Sequence, residues 1–242
     1  MMALKVLRPV LVTLLVVSFS GCAAQHTNDP AADVRTLGAS ANLGKGDFSS
    51  YADLRDLQGL RHLYAVGPVQ HLGGEVLVID SVPYAVEVRD QQLRVTSSWD
   101  FQPPFLVYSQ VRHWKAIDIP DDIKSYSELE AWLGPTAQRF GLSESQPFAF
   151  RLKATPAALT VTVMNRPASA VPGDRPTRSY QTMWEIGGVA ADFIGFYSTQ
   201  HAGVLLGANE RMHIHAITRD RRKAGHVKYF DLLPGGTLYL PQ

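Results

Sequence analysis

From Gly74 onward the chain is cut into short runs rich in Val, Ile and aromatic residues, separated by Gly, Pro, Asn, Asp and Ser. Runs of that length, bounded by turn formers, favour strands over helices, and this limits the fold more than any other feature of the sequence. Gly74 to Asp80 and Tyr84 to Arg89 flank Ser81-Val82-Pro83, a hairpin signature. Leu93 to Ser97, Phe105 to Val111, Phe148 to Leu152 and Leu159 to Met164 continue the pattern. Val189 to Tyr197, Arg211 to Ile217, Ala224 to Leu232 and Thr237 to Leu240 complete it. Two segments read as helices. Leu54, Leu57, Leu60 and Leu63 have helical spacing within Ser50 to Leu63, with Ser49 or Ser50 as the cap. Ser127-Glu128 to Phe140 is amphipathic, with a serine and early acids suited to the helix dipole and Gly141 to end it. Asn165 to Arg178, broken by Pro167, Pro172 and Pro176, reads as a loop or a domain-to-domain crossing. The fold class is mixed α+β, mostly β-sheet, with a few short helices.

Composition narrows the chemistry. With 45% hydrophobic and 19% charged residues among 242, the chain can bury a core, which excludes collagen, coiled coil and wholesale disorder. Lys+Arg 23 against Asp+Glu 22 leaves a formal charge of +1, with the arginines dispersed, so nucleic acid is not an expected partner. The single Cys22 rules out an intramolecular disulfide and any thiolate-rich zinc or iron-sulfur site. A metal would have to sit on His, Asp or Glu. No Gly-rich phosphate loop precedes a helix and no serine elbow appears.

Lys5 and Arg8 precede an uncharged run from Pro9 to Gly21 that ends in small residues before Cys22. This is a secretory-signal layout, too short for a comfortable permanent span. Ser20-Gly21-Cys22 resembles a bacterial lipobox, although Phe19 stands where Leu is usual. The expectation is therefore a signal peptide over 1–21, a lipidated flexible tether over 22–47 anchored at Cys22, and a folded domain over 48–242. Cleavage would place the protein in the cell envelope, on the periplasmic side, with Ala23 pointing to the outer membrane.

Three histidines fall close together: His213 and His215 in Met-His-Ile-His-Ala, and His226 in Ala-Gly-His-Val. Residues two apart on a strand share a face, so His213 and His215 project side by side while Met212, Ile214 and Ala216 face a core. The polar stretch Thr218 to Gly225 reads as a hairpin loop that returns His226 across from them. Three imidazoles on two paired strands match the three-ligand pattern of a catalytic zinc site with an open fourth position. The bland alternative is a set of ordinary hydrogen-bonded strand histidines. The basic cluster Arg219-Asp220-Arg221-Arg222-Lys223 reads as a solvated hairpin loop.

Gly195-Phe196-Tyr197-Ser198, His213-Ile214-His215 and Gly225-His226-Val227 with Phe230-Asp231-Leu232 resemble the C-terminal half of α-acetolactate decarboxylases. Upstream, Leu72-Gly73-Gly74-Glu75-Val76, Pro104-Phe105 and Phe148-Ala149-Phe150-Arg151-Leu152 extend the resemblance in order over roughly Leu60 to Leu233. The resemblance implies a two-lobed domain, Zn²⁺ on His213, His215 and His226, Glu75 as an active-site carboxylate and Arg151 as the active-site guanidinium. It allows a homodimer. Gly73 and Pro68 depart from the family's Asp and Thr, and no acid follows Asp231, so the family's second, C-terminal glutamate has no counterpart. By strand parity Asp231 should face away from His226.

The implied reaction is decarboxylation of a small 2-hydroxy-3-keto acid, 2-acetolactate, to acetoin. Zn²⁺ chelated by the adjacent ketone and hydroxyl oxygens would act as a Lewis-acid electron sink. Arg151 would orient the carboxylate, and Glu75 would transfer the proton. Two other readings stand beside it: a zinc-dependent enzyme acting on another small hydroxy-keto substrate, and a non-catalytic envelope lipoprotein that retains the fold.

Overall fold

A computed structural model describes residues 33–171 and 177–242. The expected signal peptide, Cys22 and the first part of the expected tether, through residue 32, lie outside the described residues. Fourteen strands form two antiparallel sheets, divided cleanly along the sequence. The first holds β1 (Arg35–Leu37), β2 (Leu63–Pro68), β3 (Gly74–Ile79), β4 (Val82–Arg89), β5 (Gln92–Thr96) and β6 (Leu106–Gln110), in the order β1-β6-β2-β3-β4-β5. The second holds β7 (Trp114–Asp118), β8 (Phe148–Ala154), β9 (Pro156–Met164), β10 (Gln181–Ile186), β11 (Ala191–Tyr197), β12 (Met212–Thr218), β13 (Ala224–Leu232) and β14 (Thr237–Pro241). Its order is β10-β9-β13-β12-β11-β8-β14-β7. Two α-helices accompany them, α1 (Ser40–Gly44) and α2 (Tyr126–Arg139).

Alternation explains the layering. In β3, Leu77 and Ile79 point between the sheets, where they meet Ile194, Phe196 and Val163, while Val76 and Val78 face the outer core with Leu54 and Leu57. In β12, Met212, Ile214 and Ala216 face the far core, packed with Leu129 and Leu133 of α2. Both sheets are therefore apolar on two faces, and the face they share is where polar side chains of β3, β12 and β13 can meet. The mixed, mostly β, two-lobed architecture is as expected.

Several local expectations need correction. Ser50 to Leu63 is not an α-helix: only Leu54–Leu57 turn, as a 3₁₀ helix capped by Asp53. Backbone bonds from Ala52 to Pro103 and from Leu54 to Phe101 pin this stretch across the outer face of the first sheet, and Gly59 and His62 adopt positive φ before β2 begins. The β3–β4 hairpin turns at Asp80-Ser81, with φ of 48° and 65°, and Pro83 lies inside β4 opposite Val78. Helix α2 is capped by Ser125, not Ser127, in a reciprocal capping box with Glu128. The tether is shorter than expected. Arg35–Leu37 pairs with β6, and Ser40 and Ala41 donate to the carbonyls of Val204 and Gly203, which seats α1 against the 200s loop.

Candidate metal centre

β12 is buried along its whole length, so its alternation is fixed by packing. Its partner β13 returns through a hairpin closed by Thr218, whose N–H donates to the Lys223 carbonyl while its Oγ1 accepts from the Lys223 N–H. The register sets His215 directly opposite His226. Gly225 permits the approach of β13 to β9, since a Cβ there would fall 2.9 Å from the Thr162 carbonyl oxygen.

The three rings converge. Their candidate ligand atoms lie within 4.8 Å of one another. The Nε2 atoms of His213 and His215 are 3.2 Å apart. Two nitrogens each about 2.0–2.1 Å from a tetrahedral Zn²⁺ would be separated by roughly 3.4 Å, so this spacing suits a shared ion. The tautomers suit one as well. His213 Nδ1 lies 3.3 Å from the Leu205 carbonyl oxygen, which holds the proton on Nδ1 and leaves Nε2 as a bare lone pair. His215 Nδ1 is buried and turned toward the Val76 backbone without completing a hydrogen bond. Burial pushes the His213 imidazole down to about 4 and those of His215 and His226 well below the usual value. All three are therefore neutral, the form that binds metal. Phe105 stacks on His213 with an interplanar angle of 9° and closes the centre from the first sheet.

Glu75 reaches the triad from β3, on the inward face it shares with Leu77 and Ile79. Its Oε1 accepts from the Met164 N–H at 3.2 Å, and its Oε2 stands 3.8 Å from His215 Nε2. Desolvation raises its pKa to about 8. The structure thus brings together His213, His215, His226 and Glu75. They border a cavity of about 220 Å³, where Glu75, His213 and His226 form part of the wall.

Arg151 is not brought there. It lies in register with Ile194, which in turn faces His215, so two strand spacings, about 10 Å, separate its backbone from the triad. Its guanidinium sits 5.3–5.4 Å from the ring centroids of Tyr64, Trp114 and Tyr239, and Nη1 donates to the Tyr64 hydroxyl at 3.3 Å. This half-buried cation sits among aromatic rings and is not part of the wall of that cavity. A different arginine follows the residue whose N–H binds Glu75. Arg166, two residues beyond Met164, is held between Phe48 and Tyr180 with its Nε buried and unbonded.

The parity argument for Asp231 also needs correction. A register shift between Val227 and Tyr229 leaves Lys228 without a partner in β9, and pairing resumes with Tyr229 opposite Thr160. This bulge flips the alternation, so Asp231 shares the face of His226. It lies five residues along the strand, roughly 16 Å, and bridges Ser125, so it remains outside the site. Lys228, two residues past His226 and left unpaired by the same bulge, borders the cavity, where Glu210 from the loop before β12 joins it. Neither was singled out from the sequence: the bulge is set by tertiary pairing, and Glu210 stands in no pattern. His71 is exposed and does not border the cavity.

Fold and site together define a two-sheet antiparallel β protein with a candidate three-histidine metal centre. Residues 45–240 match the family model of alpha-acetolactate decarboxylase, and the chain belongs to that family. The acetolactate decarboxylase of Bacillus subtilis strain 168 superposes with a TM-score of 0.68 at 16% identity, covering 87% of this chain and 86% of that one. The enzyme of Bacillus subtilis subspecies spizizenii gives 0.69 at 18% identity over 87% and 86%. A Staphylococcus aureus protein of unknown function, described as similar to alpha-acetolactate decarboxylase, gives 0.68 at 17% identity over 86% and 84%. No curated protein matches the sequence.

Proposed function

We propose that the protein is a zinc-dependent acetolactate decarboxylase, converting 2-acetolactate to acetoin and carbon dioxide. The observation that carries this reading is the convergence of three neutral imidazoles with a buried carboxylate beside a small cavity. His213, His215 and His226 would hold the ion. When bound, Zn²⁺ supplies a Lewis acid for the adjacent ketone and hydroxyl oxygens of the substrate, the sink for the electron pair left as carbon dioxide departs. Phe105 and the packed interface between the sheets exclude bulk water from one side of the site. Glu75 moves the proton: Oε1 is fixed by the Met164 N–H, which leaves Oε2, the oxygen facing the triad, to carry it. Desolvation favours its protonated form, the form able to deliver a proton to the carbon that loses the carboxylate.

The test is release of carbon dioxide and acetoin from racemic acetolactate, with and without chelator. Chelation and His213→Ala should each abolish release, and zinc should restore it only in the first case. Equal rates in wild type and His213→Ala would discard the metal mechanism. Zinc uptake with no turnover of acetolactate would move the reading to another hydroxy-keto substrate. Export and lipidation at Cys22 form a separate part of the proposal, supported by Lys5, Arg8 and the apolar run before Ser20-Gly21-Cys22. Palmitate labelling that persists in a Cys22→Ala variant would refute the anchor.

A further inference from the structure

The cavity has a cation that the triad and Glu75 do not account for. Lys228 is the only lysine or arginine bordering it among the described residues. It stands two residues past His226, on the face that alternation gives both, and at a backbone irregularity: the shift between Val227 and Tyr229 inserts one extra residue into β13, and that residue is Lys228. In a regular strand His226 and residue 228 would both pair with β9. Here Lys228 is released from the ladder, and its side chain borders the cavity together with Glu75, His213, His226 and Glu210.

We propose that Lys228 is the carboxylate anchor of this site, its ammonium holding the anionic head of a small hydroxy acid beside the histidine triad. The inference rests on the reading of the cavity as a site for a small hydroxy-keto acid, and it names the residue that selects for the acid. Lys228 is solvent-exposed and makes no ion pair with a carboxylate among the described residues, so its charge is available to a ligand. No other cation borders the cavity among the described residues, and Arg166 is held between Phe48 and Tyr180. Arg151 is held in its aromatic cage, and Arg221 pairs with Asp192 at 2.7 Å at the far end of the hairpin. A cavity of about 220 Å³ admits a compact ligand whose carboxylate must lie within a few ångströms of its remaining atoms, so anchor and metal can be engaged together. Lysine, a compact charge on a flexible stem, suits an anion whose geometry changes as its carboxylate leaves.

The test uses zinc-loaded protein and calorimetric titration with 2-hydroxy-2-methylpropanoate, which lacks the ketone needed for turnover, and with its neutral methyl ester. Wild type should bind the acid at least tenfold more tightly than the ester. Lys228→Met should lose that tenfold for the acid while binding the ester unchanged, and Lys228→Arg should retain the preference within about threefold, all three with equal zinc content. The proposal is overturned if wild type does not discriminate acid from ester, if Lys228→Met binds the acid as wild type does, or if that variant loses acid and ester equally. Anion discrimination without release of carbon dioxide from acetolactate would sink the decarboxylase reading alone. Normal turnover with unchanged acid binding in Lys228→Met would sink the anchor alone.

Discussion

A single buried carboxylate makes the metal-free protein sensitive to alkali. Glu75 titrates near 4.5 in an unfolded chain and near 8 in the fold, so between those values the native state holds a proton that the unfolded state has lost. Its contribution is fully present below the unfolded value and is lost as pH rises through 8. The three histidines oppose this below about pH 6.5, where they are protonated in the unfolded chain and neutral in the fold, so in metal-free protein the Glu75 loss of up to about 1.4 kcal/mol per pH unit should emerge between about pH 7 and 8 and level off above. Glu75→Gln should remove that loss, as read by urea midpoints from pH 7 to 9; an identical slope in the variant would assign it to other groups. Arg151 makes the opposite point about reading single residues. Within Phe-Ala-Phe-Arg-Leu its charge signals that some partner exists, but the sequence has no means of distinguishing a substrate from the ring faces of Tyr64, Trp114 and Tyr239, which arrive from three other strands. Arg151→Met should therefore lower stability by about 1–2 kcal/mol, the range for partly desolvated cation–π contacts, while leaving zinc stoichiometry unchanged. Loss of bound zinc in that variant would return Arg151 to the site. The histidine pair and Glu75 were legible because both lie on strands whose alternation is enforced by apolar neighbours on either side.

Elements were legible in proportion to their burial. β3, β12 and β13 carry dense Val, Ile and aromatic patterns and appear where the sequence places them, within a residue or two. Strands β7 and β10 went unread, and both are sheet edges. With one long side unpaired they are half-exposed and carry Lys115, Asp118 and Glu185, which mask the apolar signal. The leucines of 54–63 misled for the converse reason: their helical spacing is real, but they pack on an existing sheet, and carbonyls of Phe101 and Pro103 in the loop before β6 accept from this stretch. The bulge in β13 is a third case, a register choice made by β9 that no local pattern announces. Within the central strands, close packing gives a sharp expectation. A Cβ at Gly195 of β11 would fall 2.2 Å from Phe150 Cζ, and Phe150 is fully buried with no room to withdraw. Gly195→Ala should cost about 1–3 kcal/mol, the usual range for overpacking, measured as a lower urea midpoint with unchanged m-value. An unperturbed midpoint would mean that the β8–β11 contact is looser than its geometry.

At the scale of the whole molecule, the candidate metal centre occupies the seam between two sheets that come from consecutive halves of the chain. The three imidazoles belong to the second sheet, while Phe105 stacks on His213 from the first, and Glu75 crosses the seam to accept from Met164 of β9. The Nε2 atoms of two neutral, desolvated imidazoles, His213 and His215, approach to 3.2 Å with His226 beside them, an arrangement whose nitrogens a shared cation would satisfy together. Metal binding should then act as folding free energy for both halves at once, because no such cluster exists in the unfolded chain. A free zinc concentration a hundredfold above the dissociation constant would add about 2.7 kcal/mol. For a domain of this size that corresponds to a rise in Tm of roughly 5–10 °C. The rise should appear as one cooperative transition, since the seam is continuous with the apolar core that contains Leu77, Ile194 and Phe196. Calorimetric scans of stripped protein titrated with zinc check this, with His213→Ala as the control whose Tm should stay flat. If the second sheet alone responded, splitting the transition in two, the centre would belong to one lobe and would not hold the lobes together.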